Sequence, residues 1–350
     1  MKGLVLVEKG KTEWREVPKP EMGAFDVAIK PTVVAPCTTD LHLIETFAMP
    51  FLAGRVIGHE TSGIVQEVGS LVKDFKPGDR VVAPSGMFDW RNLNCQIGLY
   101  KSAGLGPYRP NSKNGGCFSD LFVIKDADMN LAHVPDSVTL EQAVIISDMA
   151  TTGFEAVEQL NIKYGDNVAV IGVGAVGLMA VCAAVMKGAA RIYAVGSRQV
   201  CFDIAKEYGA TDFIDYRKVN FAEEVLKRNG KPLDAVTICG GTSSNLVGEA
   251  LSMIAEGRTV TSVTGYFEDE TTVIPNSVWR YGCLDKTFRT VMCMGGRMYT
   301  ERLLSLVENK RFLPEKIITH TFHGQEKVQE ALMQMGGNNR SMIKPIVYFD

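Results

Sequence analysis

One apolar run constrains the fold of this chain more than any other stretch. Residues 168–186 carry no charged or strongly polar side chain, and a run of that length is compatible with a membrane span. However, Gly172, Gly174 and Gly177 interrupt its first half, and a Val-rich sequence becomes Ala-rich across them. We therefore predict a buried strand, a tight turn and a buried helix, and no membrane span.

The three glycines have G-x-G-x-x-G spacing between the strand and the helix. The first permits a tight turn, the second lets the backbone approach a pyrophosphate, and the third allows close helix–strand packing. The N–H groups of the helix N-terminus then face the diphosphate. This context predicts a dinucleotide site rather than an ordinary glycine-rich crossover. The predicted site residues of this loop are Gly172, Gly174, Val176 and Gly177.

The end of the next strand indicates which dinucleotide binds. The strand "RIYAV" ends in Gly196, Ser197 and Arg198, with no carboxylate where one would bind a ribose 2′-hydroxyl. An arginine pairs with a dianionic 2′-phosphate. We therefore predict a preference for NADP(H), with NAD(H) as a possible substitute. A surface arginine beside a turn is the alternative, because Asp203 or Asp215 could take the carboxylate's role.

The pattern of the 350 residues predicts two domains. Residues 152–292 alternate strands with helices, which is typical of a doubly wound parallel sheet. Residues 1–151 contain short strands and turns, an all-β pattern of barrel or sandwich type, and residues 293–350 are expected to return to this domain. Within it, residues 88–116 are polar and without periodicity, as in a functional loop or lid.

Charge and cysteine content limit the partners and the compartment. The net charge is −3 and no run of Lys or Arg occurs, so neither nucleic acid nor an anionic membrane is an expected partner. The N-terminus "MKGLVLVEKG" lacks a secretory pattern. The eight cysteines form no CxxC pair, which favours a reduced cytoplasm and thiols that mostly serve as small core residues.

Four residues have the chemistry of a catalytic zinc site: Cys37, His59, Glu60 and Asp148. Such a site needs about three protein ligands and one open position. A zinc ion would also act as a Lewis acid on an alcohol. By spacing alone, a lone cysteine and a lone histidine are more often structural.

A resemblance favours the metal site. The stretch "GHETSGIVQEVGSLV" fits the pattern G-H-E-x2-G-x5-G-x2-V at every defined position, and "CTTDLH", "PGDRV" and "GVGAVG" accompany it. Together they resemble the zinc-dependent medium-chain alcohol dehydrogenases over the whole chain. Through "APCTTDLH", "DWR", "TTGF" and "VGSR", the chain is most similar to the bacterial NADP-dependent secondary-alcohol dehydrogenases.

The resemblance implies roles for individual residues. Cys37, His59 and Asp148 resemble the zinc ligands, and Glu60 a carboxylate that approaches the metal. Thr39 and His42 resemble the groups that relay the alcohol proton towards solvent. A histidine side chain is suited to such a relay because it gains and loses a proton near neutral pH. The implied cofactor contacts are Thr152 at the nicotinamide, and Ser197, Arg198 and Tyr216 around the 2′-phosphate and adenine.

The resemblance also implies an architecture. It predicts a GroES-like β-barrel catalytic domain, a Rossmann cofactor domain and a homotetramer. Many relatives hold a second, structural zinc with four closely spaced cysteines. Here the corresponding lobe, residues 85–117, has only Cys95 and Cys117, so we expect one zinc per chain.

The substrate pocket departs from the pattern of small-ketone relatives, which carry a bulky aliphatic residue and a tryptophan. We assign Gly86 and Tyr108 to these positions. A missing aliphatic side chain predicts a roomier pocket, fit for bulky or cyclic ketones. Equally, Met87 or Phe88 could refill the space. The remaining pocket candidates are Ser85, Tyr266, Met292 and Cys293.

The sequence thus predicts a zinc-dependent, NADP(H)-preferring secondary-alcohol dehydrogenase. One alternative is an NAD(H)-using hydroxysteroid dehydrogenase that acts on a steroid side-chain ketone. A metal-free quinone or enone reductase would lack the zinc ligands, and a non-catalytic NADP-binding protein would not need the relay residues. The content of zinc per chain distinguishes the zinc-dependent dehydrogenase from the metal-free reductase and the non-catalytic protein.

Overall fold

The computed structural model describes residues 1–106, 108, 115–265, 269–279, 284–337 and 339–349. The chain forms two units, one of Met1–Thr151 with Met294–Asp350 and one of Thr152–Cys293. The predicted bounds differ from these by one residue, because Cys293 lies in the second unit.

The strands and helices in the described residues are as follows. The strands are β1 Lys2–Glu8, β2 Lys11–Glu16, β3 Val27–Val34, β4 Thr61–Val68, β5 Arg80–Ala83, β6 Phe122–Ile124, β7 Ala132–His133, β8 Asn167–Ile171, β9 Arg191–Gly196, β10 Asp212–Asp215, β11 Leu233–Ile238, β12 Ile254–Ser262, β13 Thr287–Thr290, β14 Ile318–His323 and β15 Lys344–Tyr348. The helices are α1 Thr38–Thr46, α2 Leu93–Gln96, α3 Ala127–Asn130, α4 Leu140–Ile145, α5 Thr151–Glu158, α6 Ala175–Met186, α7 Gln199–Tyr208, α8 Phe221–Asn229, α9 Leu246–Met253, α10 Arg297–Glu308 and α11 Lys327–Gly336.

The first unit is built on a largely antiparallel sheet. Its strand order is β14-β15-β3-β4-β5-β7, and β6 also pairs with β3. Only the β14–β15 pairing is parallel among the pairings described in this sheet. The chain's last strand therefore returns to the sheet of the first unit, as the sequence predicts, because β15 lies beside β3. Val27, Ile29 and Val34 of β3 and Val65 of β4 are buried in a continuous apolar core on this sheet.

The second unit contains a parallel sheet of strand order β10-β9-β8-β11-β12-β13. All five pairings are parallel, and this is the doubly wound order of a Rossmann fold. The order reverses next to β8, and ligands of such sheets bind beyond the carboxyl ends of the strands at this point. The predicted combination of an α/β unit and a β unit is therefore the observed fold class.

Two segments differ from the sequence expectation in detail. The apolar stretch after β11 has a helical pattern over residues 245–258, but α9 ends at Met253 and β12 starts at Ile254. There Ile254 pairs with Leu233 of β11, so sheet pairing overrides the helical pattern. The loop of residues 88–116 contains α2 and a 3-10 turn at Tyr100–Ala103 in its described part.

The long apolar run divides into β8 and α6 with the glycine turn between them. Within the described ranges, none of the helices is long and apolar enough to cross a membrane.

Candidate metal centre and cofactor site

Three separate segments of the first unit supply the four predicted zinc ligands. Cys37 is the N-cap of α1, and His59 and Glu60 directly precede β4. Asp148 lies in a π-helical turn, Ile146–Ala150, between α4 and α5. Single π-helical turns inside helices frequently occur at functional sites.

The structure brings the four side chains together. One ligand atom from each of Cys37, His59, Glu60 and Asp148 lies within 4.8 Å of all the others. His59 Nε2 lies 3.4 Å from Asp148 Oδ2 and 3.7 Å from Glu60 Oε1. The first three residues are buried and Asp148 is partly exposed, so the cluster is enclosed on most sides.

The chemistry of this cluster fits a zinc ion. A thiol, an imidazole and two carboxylates are zinc's usual protein ligands. Glu60 Oε2 is buried and has no hydrogen-bond partner among the described residues. Burial raises the pKa of the Cys37 thiol and raises that of Glu60 to about 7 although the charge of Lys344 lowers it. Burial therefore disfavours the ionised forms of both groups, and a bound cation would favour them.

Asp40, which the sequence analysis did not single out, connects two of these ligands. Its carboxylate is fully buried. Asp40 Oδ2 accepts a hydrogen bond of 2.9 Å from the Cys37 backbone N–H, and Asp40 Oδ1 lies 3.1 Å from His59 Nδ1. A carboxylate on one ring nitrogen fixes the histidine tautomer and directs the other nitrogen to a metal. Its position at the third residue of a helix, three after Cys37, is the sequence pattern that could have indicated this role.

Lys344 is a second residue that the sequence analysis missed. Its side chain is 2% exposed, and Nζ donates to Glu60 Oε1 at 2.7 Å and to the Pro36 carbonyl oxygen at 3.0 Å. A single lysine inside the otherwise apolar "MIKPIVYF" was the available indication, because buried lysines are almost always paired.

The predicted relay residues both lie on α1. Thr39 and His42 are partly exposed and stand three residues apart, on neighbouring positions of one helix face. Thr39 comes two residues after Cys37, the N-cap of the same helix.

Two of the predicted pocket residues, Ser85 and Tyr108, contact the metal cluster. Ser85 Oγ donates a hydrogen bond of 3.0 Å to Asp148 Oδ1. The Tyr108 hydroxyl donates to Asp40 Oδ1 and accepts a hydrogen bond of 2.7 Å from the Gly58 N–H. The Tyr108 hydroxyl therefore contacts Asp40 and Gly58, two residues that adjoin the predicted zinc ligands.

The other predicted pocket positions are placed as follows. The backbone of Gly86 is in close contact with Gly295, where a Cβ atom would lie 1.4 Å from the Gly86 oxygen. Met87 and Phe88 are buried, 2% and 0% exposed. Met292 and Cys293 belong to the second unit. Tyr266 lies outside the described residues.

The dinucleotide loop of the second unit has the geometry its glycines predict. Gly172 has a φ of +88°, and a Cβ atom there would lie 2.5 Å from the Gly240 nitrogen. A Cβ atom on Gly177 would lie 2.1 Å from the Gly172 oxygen, so helix and strand are in close contact. Gly174 is the N-cap of α6 with no side-chain cap, and Val176 lies in the first helical turn. The helix N–H groups are therefore available to a phosphate.

The predicted 2′-phosphate residues lie beside this loop. A Cβ atom on Gly174 would be 3.6 Å from Nη2 of Arg198, so the guanidinium reaches the loop. Ser197 Oγ is 3.4 Å from the Tyr216 hydroxyl, and the Tyr216 N–H donates to the Gly196 oxygen at 3.2 Å. Loop, strand end and tyrosine thus form one continuous surface of the second unit.

The two carboxylates that could have bound a ribose have other partners. Asp215 forms an ion pair with Arg217, whose hydrogen bond lowers the pKa of the Asp215 carboxyl. Asp203 accepts a hydrogen bond from Gln199. Arg217, which the sequence analysis did not include, also donates to the Ser197 carbonyl oxygen at 2.7 Å and adds positive charge there. Thr152 is buried in the first turn of α5.

The two cysteines of the lobe have separate contacts. Cys117 Sγ contacts the Glu60 carbonyl oxygen at 3.5 Å, and Cys95 Sγ contacts the Asp89 carbonyl oxygen at 3.2 Å. Within the described residues, the cluster around Cys37 is the one group of three or more metal-ligand side chains.

Comparison with known proteins agrees with both units. Residues 23–136 match the alcohol dehydrogenase GroES-like domain and residues 175–309 match the zinc-binding dehydrogenase family. The NADP-dependent isopropanol dehydrogenase of Thermoanaerobacter brockii is 43% identical over 350 residues, covering 99% of both chains. The chain belongs to the zinc-dependent alcohol dehydrogenase family.

Further alcohol dehydrogenases are similar over the same length. The NADP-dependent isopropanol dehydrogenase of Clostridium beijerinckii is 39% identical, with 99% of each chain covered. Among solved structures, alcohol dehydrogenase TADH from Thermus sp. ATN1 has a TM-score of 0.88 and 26% identity, and all of both chains is covered. The predicted family and its secondary-alcohol branch are thereby confirmed.

Proposed function

We propose that this alcohol dehydrogenase interconverts secondary alcohols and ketones with NADP(H) at a zinc ion held by the first unit. The observation that carries the proposal is the cluster of Cys37, His59, Glu60 and Asp148 around one point. The full-length similarity to NADP-dependent isopropanol dehydrogenases supports the substrate class and the cofactor.

Each side chain at the metal has a definable task. Zinc, when bound, supplies a Lewis acid that favours the ionised alcohol and polarises a ketone oxygen. Cys37, His59 and Asp148 would hold the ion, and Glu60 would stand as a further carboxylate. Asp40 orients His59, while Ser85 orients Asp148.

Thr39 and His42 are the proposed proton path. The Thr39 hydroxyl, two residues after Cys37, can accept the alcohol proton and hand it on, and the His42 imidazole further along α1 can exchange it with solvent. The partial exposure of both residues supports this direction.

The second unit binds the cofactor in this proposal. NADP(H), when bound, supplies the hydride chemistry. The α6 N-terminus would face its diphosphate, while Ser197, Arg198 and Tyr216 would surround the 2′-phosphate and adenine. Thr152 would contact the nicotinamide.

We make further proposals about the number of zinc ions, the oligomeric state, the location and the substrate pocket. We propose one zinc per chain, a homotetramer and a cytoplasmic location, each of which rests on the sequence. For the substrate pocket, Ser85, Gly86 and Tyr108 remain the proposed wall of the first unit, and a small or a bulky ketone fits that description. Nothing in the comparisons favours the steroid-specific, NAD(H)-using alternative.

Measurement of zinc per chain tests the metal site. We expect one zinc in the unaltered protein and in Cys95→Ser, and none in Cys37→Ser, which should also lose ketone reduction while still binding NADPH. Zinc retained in Cys37→Ser would refute the ligand assignment. Two zinc ions per unaltered chain, with one of them lost in Cys95→Ser, would refute the single site.

Cofactor choice is tested by Arg198→Ala. Loss of a charge-assisted contact to the phosphate should weaken the binding of NADPH by about tenfold or more and leave the binding of NADH nearly unchanged. The matched control is Arg228→Ala, which removes an exposed arginine paired with Glu224 in the same unit. An unchanged NADPH-to-NADH ratio in Arg198→Ala would contradict the proposed phosphate site.

A further inference from the structure

Tyr108 has an unusual set of contacts for a residue of a substrate pocket. Its ring packs against the apolar core of the first unit, and it meets the His59 ring edge-on at 5.2 Å between centroids. Its hydroxyl is directed behind the ligands, where it donates to Asp40 Oδ1. The same hydroxyl accepts the N–H of Gly58 at 2.7 Å.

These contacts close a network around two metal ligands. Gly58 is the residue before His59, and Asp40 bonds both the His59 ring and the Cys37 backbone. The Tyr108 hydroxyl therefore links the loop that carries His59 to the carboxylate that orients His59 and Cys37. Asp40 has no solvent exposure, so water cannot replace a donor that is lost.

We infer that Tyr108 is a positioning residue of the metal centre, which acts through Asp40 on Cys37 and His59. The inference rests on the proposed zinc site. With the hydroxyl present, Asp40 receives three donors and its two oxygens are held in place. Without it, Gly58 N–H loses its acceptor and Asp40 can rotate away from the His59 ring. Groups behind metal ligands commonly affect affinity by about 10–100-fold when they are altered.

The test is zinc affinity in Tyr108→Phe, measured by competition with a chromogenic chelator on the zinc-loaded full chain. We expect zinc to bind about 10–100-fold more weakly than in the unaltered protein. The Co²⁺-substituted enzyme should show shifted ligand-field and thiolate charge-transfer bands, which a tyrosine that serves only as a pocket wall would leave unchanged. Tyr348→Phe is the control, because it removes a hydroxyl that bonds the carboxylate of Glu141 in the same unit. Its zinc affinity and Co²⁺ bands should remain unchanged.

Asp40→Asn tests the same link from the other side. If Tyr108 acts through Asp40, the double variant binds zinc no more than about twofold more weakly than Asp40→Asn alone. If the losses of zinc affinity caused by Tyr108→Phe and Asp40→Asn multiplied in the double variant, the inference would be overturned. Normal zinc affinity and unchanged Co²⁺ bands in Tyr108→Phe would overturn it as well. Should Tyr108→Phe not fold, unchanged zinc affinity in Asp40→Asn would overturn it. Failure of the unaltered chain to bind zinc would instead refute the proposed function.

Discussion

Replacement of Lys344 by methionine removes a buried positive charge beside the proposed metal centre. Lys344 and Glu60 are 2% and 0% exposed, and their charged atoms are 2.7 Å apart. The substitution leaves Glu60 Oε1 without this donor, next to an Oε2 that already has no described partner. The Pro36 carbonyl oxygen loses its 3.0 Å contact as well. Removal of one partner of a buried ion pair costs about 3–5 kcal/mol.

We therefore expect Lys344→Met to lower the free energy of unfolding by about 3–5 kcal/mol. The assay is urea unfolding at pH 8, monitored by circular dichroism and tryptophan fluorescence. A chelator is present so that zinc binding does not contribute to the measured stability. Glu60→Gln combined with Lys344→Met removes the uncompensated charge and should recover most of this loss. Exposed Lys327→Met, which breaks a surface pair with Glu330, is the control and should cost less than about 1 kcal/mol. A loss of under about 1 kcal/mol in Lys344→Met would refute the reasoning that this pair is sequestered from water.

Three further predictions follow from close contacts and one ion pair. Gly177→Ala places a Cβ atom 2.1 Å from a backbone oxygen of the dinucleotide loop. The affinity for NADPH, measured by fluorescence titration, should therefore fall by about tenfold or more. An unchanged affinity would contradict this. Gly58→Ala forces a β-carbon to within 2.6 Å of the Phe118 ring at a φ of +98°, and zinc content and melting temperature should both fall. The hydrogen bond from Arg191 lowers the pKa of Asp212, so the pair adds stability above the unfolded pKa of about 3.9 and loses it as pH falls further. Arg191→Gln should thus cost about 0.5–1 kcal/mol at pH 7, and less at pH 3, in urea unfolding; an equal cost at both pH values would contradict it.

Local patterns were sufficient for most of the fold. The strand β8, the glycine turn and α6 follow from residues that are contiguous in the chain, because each needs only its neighbours to form. The end of α9 was not predictable in this way. Its residues have a helical pattern, and the pairing of Ile254 with Leu233 decides the boundary instead.

The metal centre shows the same division between local and distant information. Residue types and a family signature were enough to name Cys37, His59, Glu60 and Asp148, and the structure gathers them within 4.8 Å. The signature says nothing about the groups behind these ligands. Asp40 lies only three residues from Cys37, but Tyr108 and Lys344 come from distant segments that pack there.

The sequence by itself determined the two units, the dinucleotide loop and the set of ligand candidates, because spacing and composition act over short stretches of chain. Only the tertiary structure decided that Asp40, Lys344 and Tyr108 surround those ligands. Tyr108 stands 68 residues from Asp40, and Lys344 stands 284 residues from Glu60. Burial and hydrogen-bond partners arise from the packing of such distant segments, and a polar side chain acquires its role when that packing removes it from water.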